Sequence, residues 1–263
     1  MDVTYEVLAI RYAHLDRTAR FNFVGGDAHD GPMPLDYYVW AIVGRERTVI
    51  VDTGFDHDVA QRRGRQIVRP VAEGLKAVGI EPDKVEHIVI SHMHYDHSGN
   101  HDLFPRARYH VQDAELGWCT GKDMANPEVG GIFEADSVCA MVQKVFAGRV
   151  QFHDGDTDLA PGISLHKVGG HTRGMQVVRV ATRRGWVVLG SDTAHFYANL
   201  EPGRPFPIMD SLPMYVEAQR TALKLASSPQ HFIPGHDPLV LARYPGVRAG
   251  LEGVARVDLA PRG

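Results

Sequence analysis

Four side chains able to bind a metal fall within one short segment, Ser91-His92-Met93-His94-Tyr95-Asp96-His97-Ser98-Gly99-Asn100. Imidazole nitrogen and carboxylate oxygen are the donors that zinc and comparable cations accept. Side chains alternate along an extended backbone, so His92 and His94 project the same way and can grip one ion. Asp96 and His97 follow a turn and can point toward a second ion. Cations gripped this closely would act as Lewis acids, so the chemistry this spacing suits is that of a metal centre. A histidine-rich surface loop would share the composition without the chemistry, but three further segments weigh against that alternative. Gly169-Gly170-His171-Thr172, Gly190-Ser191-Asp192-Thr193 and Pro234-Gly235-His236-Asp237 each bring one more metal-competent side chain.

Each of these segments follows a run that reads as a strand, and strand-terminal loops are where a rigid scaffold holds functional groups. Residues 85–91 are mostly apolar and predict a buried strand ending in the His92 loop. Strands are also predicted over 3–10, 37–43, 47–52, 108–111, 149–153, 163–168, 175–180, 186–190 and 231–233. Helical spacing covers 70–78, stopping at Gly79, and 213–227; a short helix is predicted over 113–118 and a mostly helical stretch over 124–148. Strands and helices recur through both halves, without an internal repeat or low-complexity linker. Two stacked sheets with helices outside, a layered α/β architecture, fit that order. At 263 residues, a single domain over 1–263 is the economical organisation.

Composition excludes several classes. Apolar residues make up 44% and charged residues 23%, ordinary globular values, and a net charge of −4 offers no basic excess for a nucleic-acid backbone. The clusters Arg62-Arg63-Gly64-Arg65 and Arg183-Arg184 are short and read as solvated faces or turns. Cys119 and Cys139 form no CxxC pair, which predicts free thiols in a reducing compartment. Met1-Asp2-Val3-Thr4-Tyr5-Glu6 lacks the features of a secretory signal, and the longest apolar run, 37–43, is far short of the about 20 residues needed to cross a bilayer. The expectation is a soluble, cytoplasmic protein acting on a small molecule, without a nucleic-acid or membrane partner.

The HxHxDH segment over 92–97, followed in order by His171, Asp192 and His236, resembles the metallo-β-lactamase superfamily. Asp52-Thr53-Gly54 after a strand and Gly170-His171-Thr172 match two more of its motifs, and the likeness runs from about residue 37 to 237. It implies the αββα sandwich of the metallo-β-lactamase fold, with metals at one edge of the two sheets. It also implies His92, His94 and His171 on a first metal, Asp96, His97 and His236 on a second, and Asp192 bridging both. Asp52 would orient the loop. Two divalent ions are therefore expected, zinc first, with manganese, cobalt and iron acceptable to the same donors. A bridging hydroxide would attack the carbonyl, and Asp96 would carry the proton.

Within the superfamily, class B β-lactamases lack the aspartate matched by Asp192. The basic exosites of RNA-processing members and the flavin domain of flavodiiron proteins are not found in this sequence. Two groups stay close: the quorum-quenching N-acyl-homoserine lactonases, and the glyoxalase II-type thioester hydrolases with the mononuclear-iron persulfide dioxygenases. Chain length, the long segment between His97 and His171, and the block Asp192-Thr193-Ala194-His195-Phe196-Tyr197 favour the lactonases, with hydrolysis of another ester or a cyclic amide as an alternative. Lactonases carry a tyrosine shortly after the bridging aspartate that hydrogen-bonds the substrate. Here that position is His195, with Tyr197 two further on, and either is a candidate for that contact.

The loop from Phe21 to Met33 is comparable to one that lines the lactonase acyl-chain cleft, against a plainer placement of Phe21 and Phe23 in a hairpin core. His29, beside Asp27 and Asp30, is a candidate cleft residue, whereas His14, His57, His87, His101, His110, His153, His166 and His231 match no ligand position. A pseudoenzyme that binds metal without turnover is disfavoured by the intact ligand set, which would be costly to bury unpaired. The family includes dimers, which leaves a homodimer open.

Overall fold

Along β1 (Glu6–Leu15) successive side chains point to opposite faces, and both faces are buried: Leu8, Ile10 and Tyr12 join one apolar cluster, Val7 and Ala9 another. The computed structural model describes residues 3–262; Met1, Asp2 and Gly263, and with them the start of the N-terminal segment considered above, lie outside those residues. The chain continues through β2 (Leu35–Val43), β3 (Thr48–Val51), α1 (His57–Arg63), β4 (Gln66–Ile67), α2 (Val71–Ala77), β5 (His87–Val89), β6 (Arg108–Gln112) and α3 (Asp113–Cys119). It then forms α4 (Pro127–Gly130), α5 (Ala135–Phe146), β7 (Val150–His153), β8 (Thr157–Ala160), β9 (Ile163–Lys167), β10 (Gln176–Thr182) and β11 (Gly185–Ser191). The last elements are α6 (Leu212–Leu225), β12 (Phe232–Pro234), α7 (Leu239–Arg243) and β13 (Val254–Arg256).

The first sheet runs β13-β1-β2-β3-β5-β6-β7, with β4 against β1; the second runs β12-β11-β10-β9-β8. Trp40 and Ile42 of β2 meet Leu165, Val178, Val187 and Leu189 of the second sheet in the dry layer between them. Outside the first sheet, Val59, Val71, Leu75, Leu116 and Met141 bring helices α1, α2, α3 and α5 onto Leu8, Val39 and Ile88. Outside the second, Ala222 of α6 packs on Val177, Val188 and Phe232. The order helix, sheet, sheet, helix is the expected αββα sandwich.

Strands β3, β5, β6 and β7 are parallel, so their C-terminal ends lie along one rim of the first sheet. In the second sheet β11 and β12 are parallel and deliver their ends to the same side. The stretch 124–148 departs from expectation. Pro127 and the pair Gly130-Gly131 divide it into a short 3-10 turn, α4 and α5, and Gly130 has no room for a Cβ, which would meet the Met124 carbonyl oxygen at 2.3 Å.

Candidate metal centre

Every functional loop leaves a strand at this shared rim. The segment 91–100 follows β5, His171 follows β9, Asp192 follows β11 and His236 follows β12. Asp52, just past β3, fixes the first of them. Its Oδ1 accepts the Ser91 amide (2.7 Å), while its Oδ2 accepts both the Ser91 hydroxyl (2.8 Å) and His97 Nδ1–H (2.7 Å). Asp52 holds φ at 63° and Ser191, before Asp192, at 43°, left-handed conformations that non-glycine residues seldom adopt away from functional sites. Glycine is required at two further positions. A Cβ on Gly170 would strike the Tyr215 backbone at 2.5 Å, and one on Gly235 would lie 2.6 Å from Asp192 Oδ1.

Hydrogen bonds to one ring nitrogen leave the other bare and aimed inward. His171 Nδ1–H donates to the Ile208 carbonyl (2.8 Å), His236 Nδ1–H to the Asp36 carbonyl (2.9 Å) and His92 Nδ1–H to the Ser91 hydroxyl (3.0 Å). Such outer contacts set tautomer and orientation at a metal site. His92 Nε2 lies 3.0 Å and His171 Nε2 2.9 Å from His94 Nδ1, and with Asp192 these make one group of potential ligands. Asp96, His97 and His236 make another.

Asp192 faces both groups. Its Oδ2 is 3.2 Å from His171 Nε2 and 3.8 Å from His92 Nε2; its Oδ1 is 3.0 Å from His236 Nε2 and 3.4 Å from His97 Nε2. Asp96 Oδ2 stands 3.6 Å from both His97 Nε2 and His236 Nε2. His97 Nε2, His236 Nε2 and Asp192 Oδ1 are buried, yet none makes a hydrogen bond. Buried polar atoms left in that condition are expensive, and a cation between them satisfies all three. The residues present therefore fit divalent metal. Burial pushes His92 and His94 well below the usual histidine range, toward the neutral form that ligates. At His236 burial acts in the same direction, but Asp192 and Asp96 outweigh it and raise the ring.

The predicted site residues do not all converge. His195 does: its ring stacks on Phe206 at 3.4 Å, and its Nε2 lies 3.0 Å from Asp192 Oδ2. Burial drives this ring down to about 3, so it is neutral. Tyr197 is not brought to the group. Its amide is held by Asp237 Oδ2 (2.9 Å) and its ring lies against Arg243 (4.1 Å), in the layer between the sheets. His29 is exposed. Phe21 is 51% exposed, whereas Phe23 is buried with Arg204 stacked over it at 3.9 Å.

Other groups without a motif do reach the site. A cleft of about 90 Å³ over the ligands is lined by Arg17, Arg63, Arg65, Tyr37, Tyr95 and Phe206, among others. Tyr95 lies inside the HxHxDH segment but has no ligand role of its own there. Glu115 is fully buried beneath, its two oxygens accepting the Met93 amide (2.8 Å) and the Gly174 amide (2.9 Å).

A sandwich with this rim and this ligand order defines a class. A family model described as the metallo-beta-lactamase superfamily matches residues 33–236. The chain belongs to the metallo-beta-lactamase superfamily, and is a metal-dependent hydrolase. It is similar to an N-acyl homoserine lactonase of Bacillus sp, 27% identical over 194 residues that cover 67% of this chain and 72% of the relative. It is also similar to the N-acyl homoserine lactonase AiiB of Agrobacterium fabrum (strain C58), 28% identical over 178 residues, 60% of this chain and 62% of that one. Among solved structures, a quorum-quenching N-acyl homoserine lactone lactonase superposes with a TM-score of 0.72 at 21% identity, covering 91% of this chain and 94% of that chain. AidC, a dizinc quorum-quenching lactonase, does so at 0.69 and 18%, covering 96% of each. These likenesses establish the fold.

Proposed function

We propose that this chain is a dinuclear lactonase, a single hydrolase domain that opens a lactone ring with two divalent ions, zinc first among them. The observation that carries the proposal is the division of Asp192, one oxygen toward His92 and His171 and the other toward His97 and His236. His92, His94 and His171 would hold one ion, Asp96, His97 and His236 the other, and Asp192 both. Ions so held supply Lewis acidity, lowering the pKa of water and polarising the substrate carbonyl. The lactonase names of the relatives support the ring substrate.

The chain's own groups supply orientation and proton handling. His195, its Nε2 3.0 Å from Asp192 Oδ2, would steady that carboxylate between the two histidine groups. Asp96, at the cleft, is the group placed to pass a proton to the departing alkoxide. Arg65 Nε–H donates to Tyr95 Oη (3.0 Å), which lies 3.2 Å from Tyr37 Oη. The bond between the two phenols uses one hydroxyl hydrogen, so the second is left for a ligand oxygen. Burial pushes Tyr37 up to about 12, which keeps it a donor at neutral pH. Tyr37 would then be a further candidate for the carbonyl contact, beside His195 and Tyr197. The free thiols Cys119 and Cys139 support a reducing, cytoplasmic setting, and no helix among the described residues is long and apolar enough to cross a membrane.

A pH-indicator screen of lactones, esters, thioesters and β-lactams tests the substrate. Turnover of lactones is expected; turnover of thioesters alone would reject the proposal. Tyr37→Phe should keep its metal while kcat falls about a hundredfold, the cost of losing one oxyanion donor.

A further inference from the structure

We propose that the lactone this site takes is small and anionic, a ring bearing a carboxylate, and that Arg17 and Arg65 select it. This deepens the lactonase reading and rests on it. The chain is acidic overall, at −4, yet its cleft is lined by guanidinium groups. Arg62 and Arg63 of the sequence cluster are paired with Glu134, at 2.9 and 2.7 Å. Arg65 turns inward instead, so the cluster is not wholly a solvated face. It donates to the Tyr95 hydroxyl and the Arg63 carbonyl, and Arg17 donates to the Phe21 carbonyl. Among the described residues neither has a carboxylate as ion-pair partner. Asp96, a candidate metal ligand, lines the same cleft.

Two half-buried guanidinium groups that make no ion pair among the described residues stand over one cleft, and guanidinium is the group best shaped to bind a carboxylate. Burial lowers Arg17 below its ordinary value; Tyr37 acts against that shift and the like charge of Arg65 with it. Both are fixed in advance. Arg65 is tied to Tyr95, whose ring stacks on Phe55 (5.6 Å); Arg17 lies 5.4 Å over Phe206, itself stacked on His195. The two arginines therefore flank the ligand group from the Tyr95 side and the His195 side. At about 90 Å³ the cleft is well below the roughly 300 Å³ at which drug-sized pockets begin. It suits a compact ring better than a long acyl chain.

The reaction consumes one water. Hydroxide adds to the ring carbonyl carbon, the ring C–O bond breaks and the alkoxide takes a proton, so a carboxylated lactone yields a hydroxy dicarboxylate without redox change. The metal-loaded protein should be assayed on 5-oxotetrahydrofuran-2-carboxylate and on its neutral methylamide. The expected kcat/KM ratio favours the acid by about tenfold or more. That ratio should fall toward unity in Arg17→Gln and Arg65→Gln and be partly restored in Arg65→Lys. An amide hydrolysed as well as the acid, or a ratio unchanged in both variants, would overturn the proposal.

Calorimetric titration with the product 2-hydroxyglutarate reads the arginines without turnover. Wild type should bind it, and the Arg17→Gln/Arg65→Gln protein about tenfold or more weakly. No binding to wild type, or equal binding to both, would overturn the proposal. If neither lactone is hydrolysed, the substrate proposed here fails. If the wider screen also shows no lactone turnover, the lactonase reading fails with it, while the binding difference would leave anion recognition by the two arginines standing.

Discussion

Glu115 shows how one buried carboxylate can hold two loops in register. It sits on α3, outside the ligand group, and links the amide between His92 and His94 to the amide of Gly174. A Cβ on Gly174 would approach the Glu115 amide nitrogen at 2.2 Å, so the two segments touch backbone to backbone. Burial raises the Glu115 carboxyl against the pull of these amides. In Glu115→Gln, an NH₂ would face one N–H, and stability should fall by about 2 kcal/mol in urea unfolding. Zinc affinity should drop about tenfold or more in a chelator competition; unchanged affinity would show that Glu115 does not position the ligands. The candidate metal ligands were legible because their type is diagnostic and they cluster in sequence. Arg17, Arg65 and Tyr37 carry no such signal, since the β1–β2 connection, the α1–β4 connection and β2 bring them together only in the fold. Tyr197 illustrates the opposite case. The short 3-10 turn Tyr197–Leu200 carries it away from Asp192.

At the scale of elements, apolar runs marked nearly every long strand. The short ones were harder: β8 and β13 have four and three residues, too few for a period to register. Helix α1 is announced by Asp56, whose side chain accepts the Val59 amide at 2.8 Å, and by Gly64 at its end, but its seven residues give a weak pattern. Three histidines cross the first sheet from β5 to β7. His87 Nδ1 is 3.1 Å from His110 Nε2, and His110 Nδ1 is 3.1 Å from His153 Nε2. Burial, then the charges of His153 and His87, bring His110 down to about 3 from 6.5. Between those values the unfolded chain binds a proton that the folded chain does not, so stability is fully present above about pH 6.5 and declines as pH falls toward 3. Going from pH 7 to pH 5 should cost the chelator-treated protein about 2 kcal/mol through this residue. His110→Gln should flatten the urea-unfolding difference by that amount; an identical pH slope would dismiss the assignment.

Across the whole molecule, the candidate ligands come from both sheets. The HxHxDH loop leaves the first sheet, whereas His171, Asp192 and His236 leave the second. Cations at this rim would join the two halves of the sandwich, and metal bound only by the folded state adds its binding energy to stability. Chelator should therefore lower the melting temperature of the metal-loaded protein, and added zinc should restore it; an unchanged melt would mean that metal contributes nothing to joining the sheets.

The most direct measurement is metal content, by elemental analysis of protein saturated with zinc and dialysed, with Asp192→Ala treated alongside. Two zinc ions per chain are expected for the native protein and at most one for the variant. A single ion in the native protein, or two retained without Asp192, would contradict the paired site.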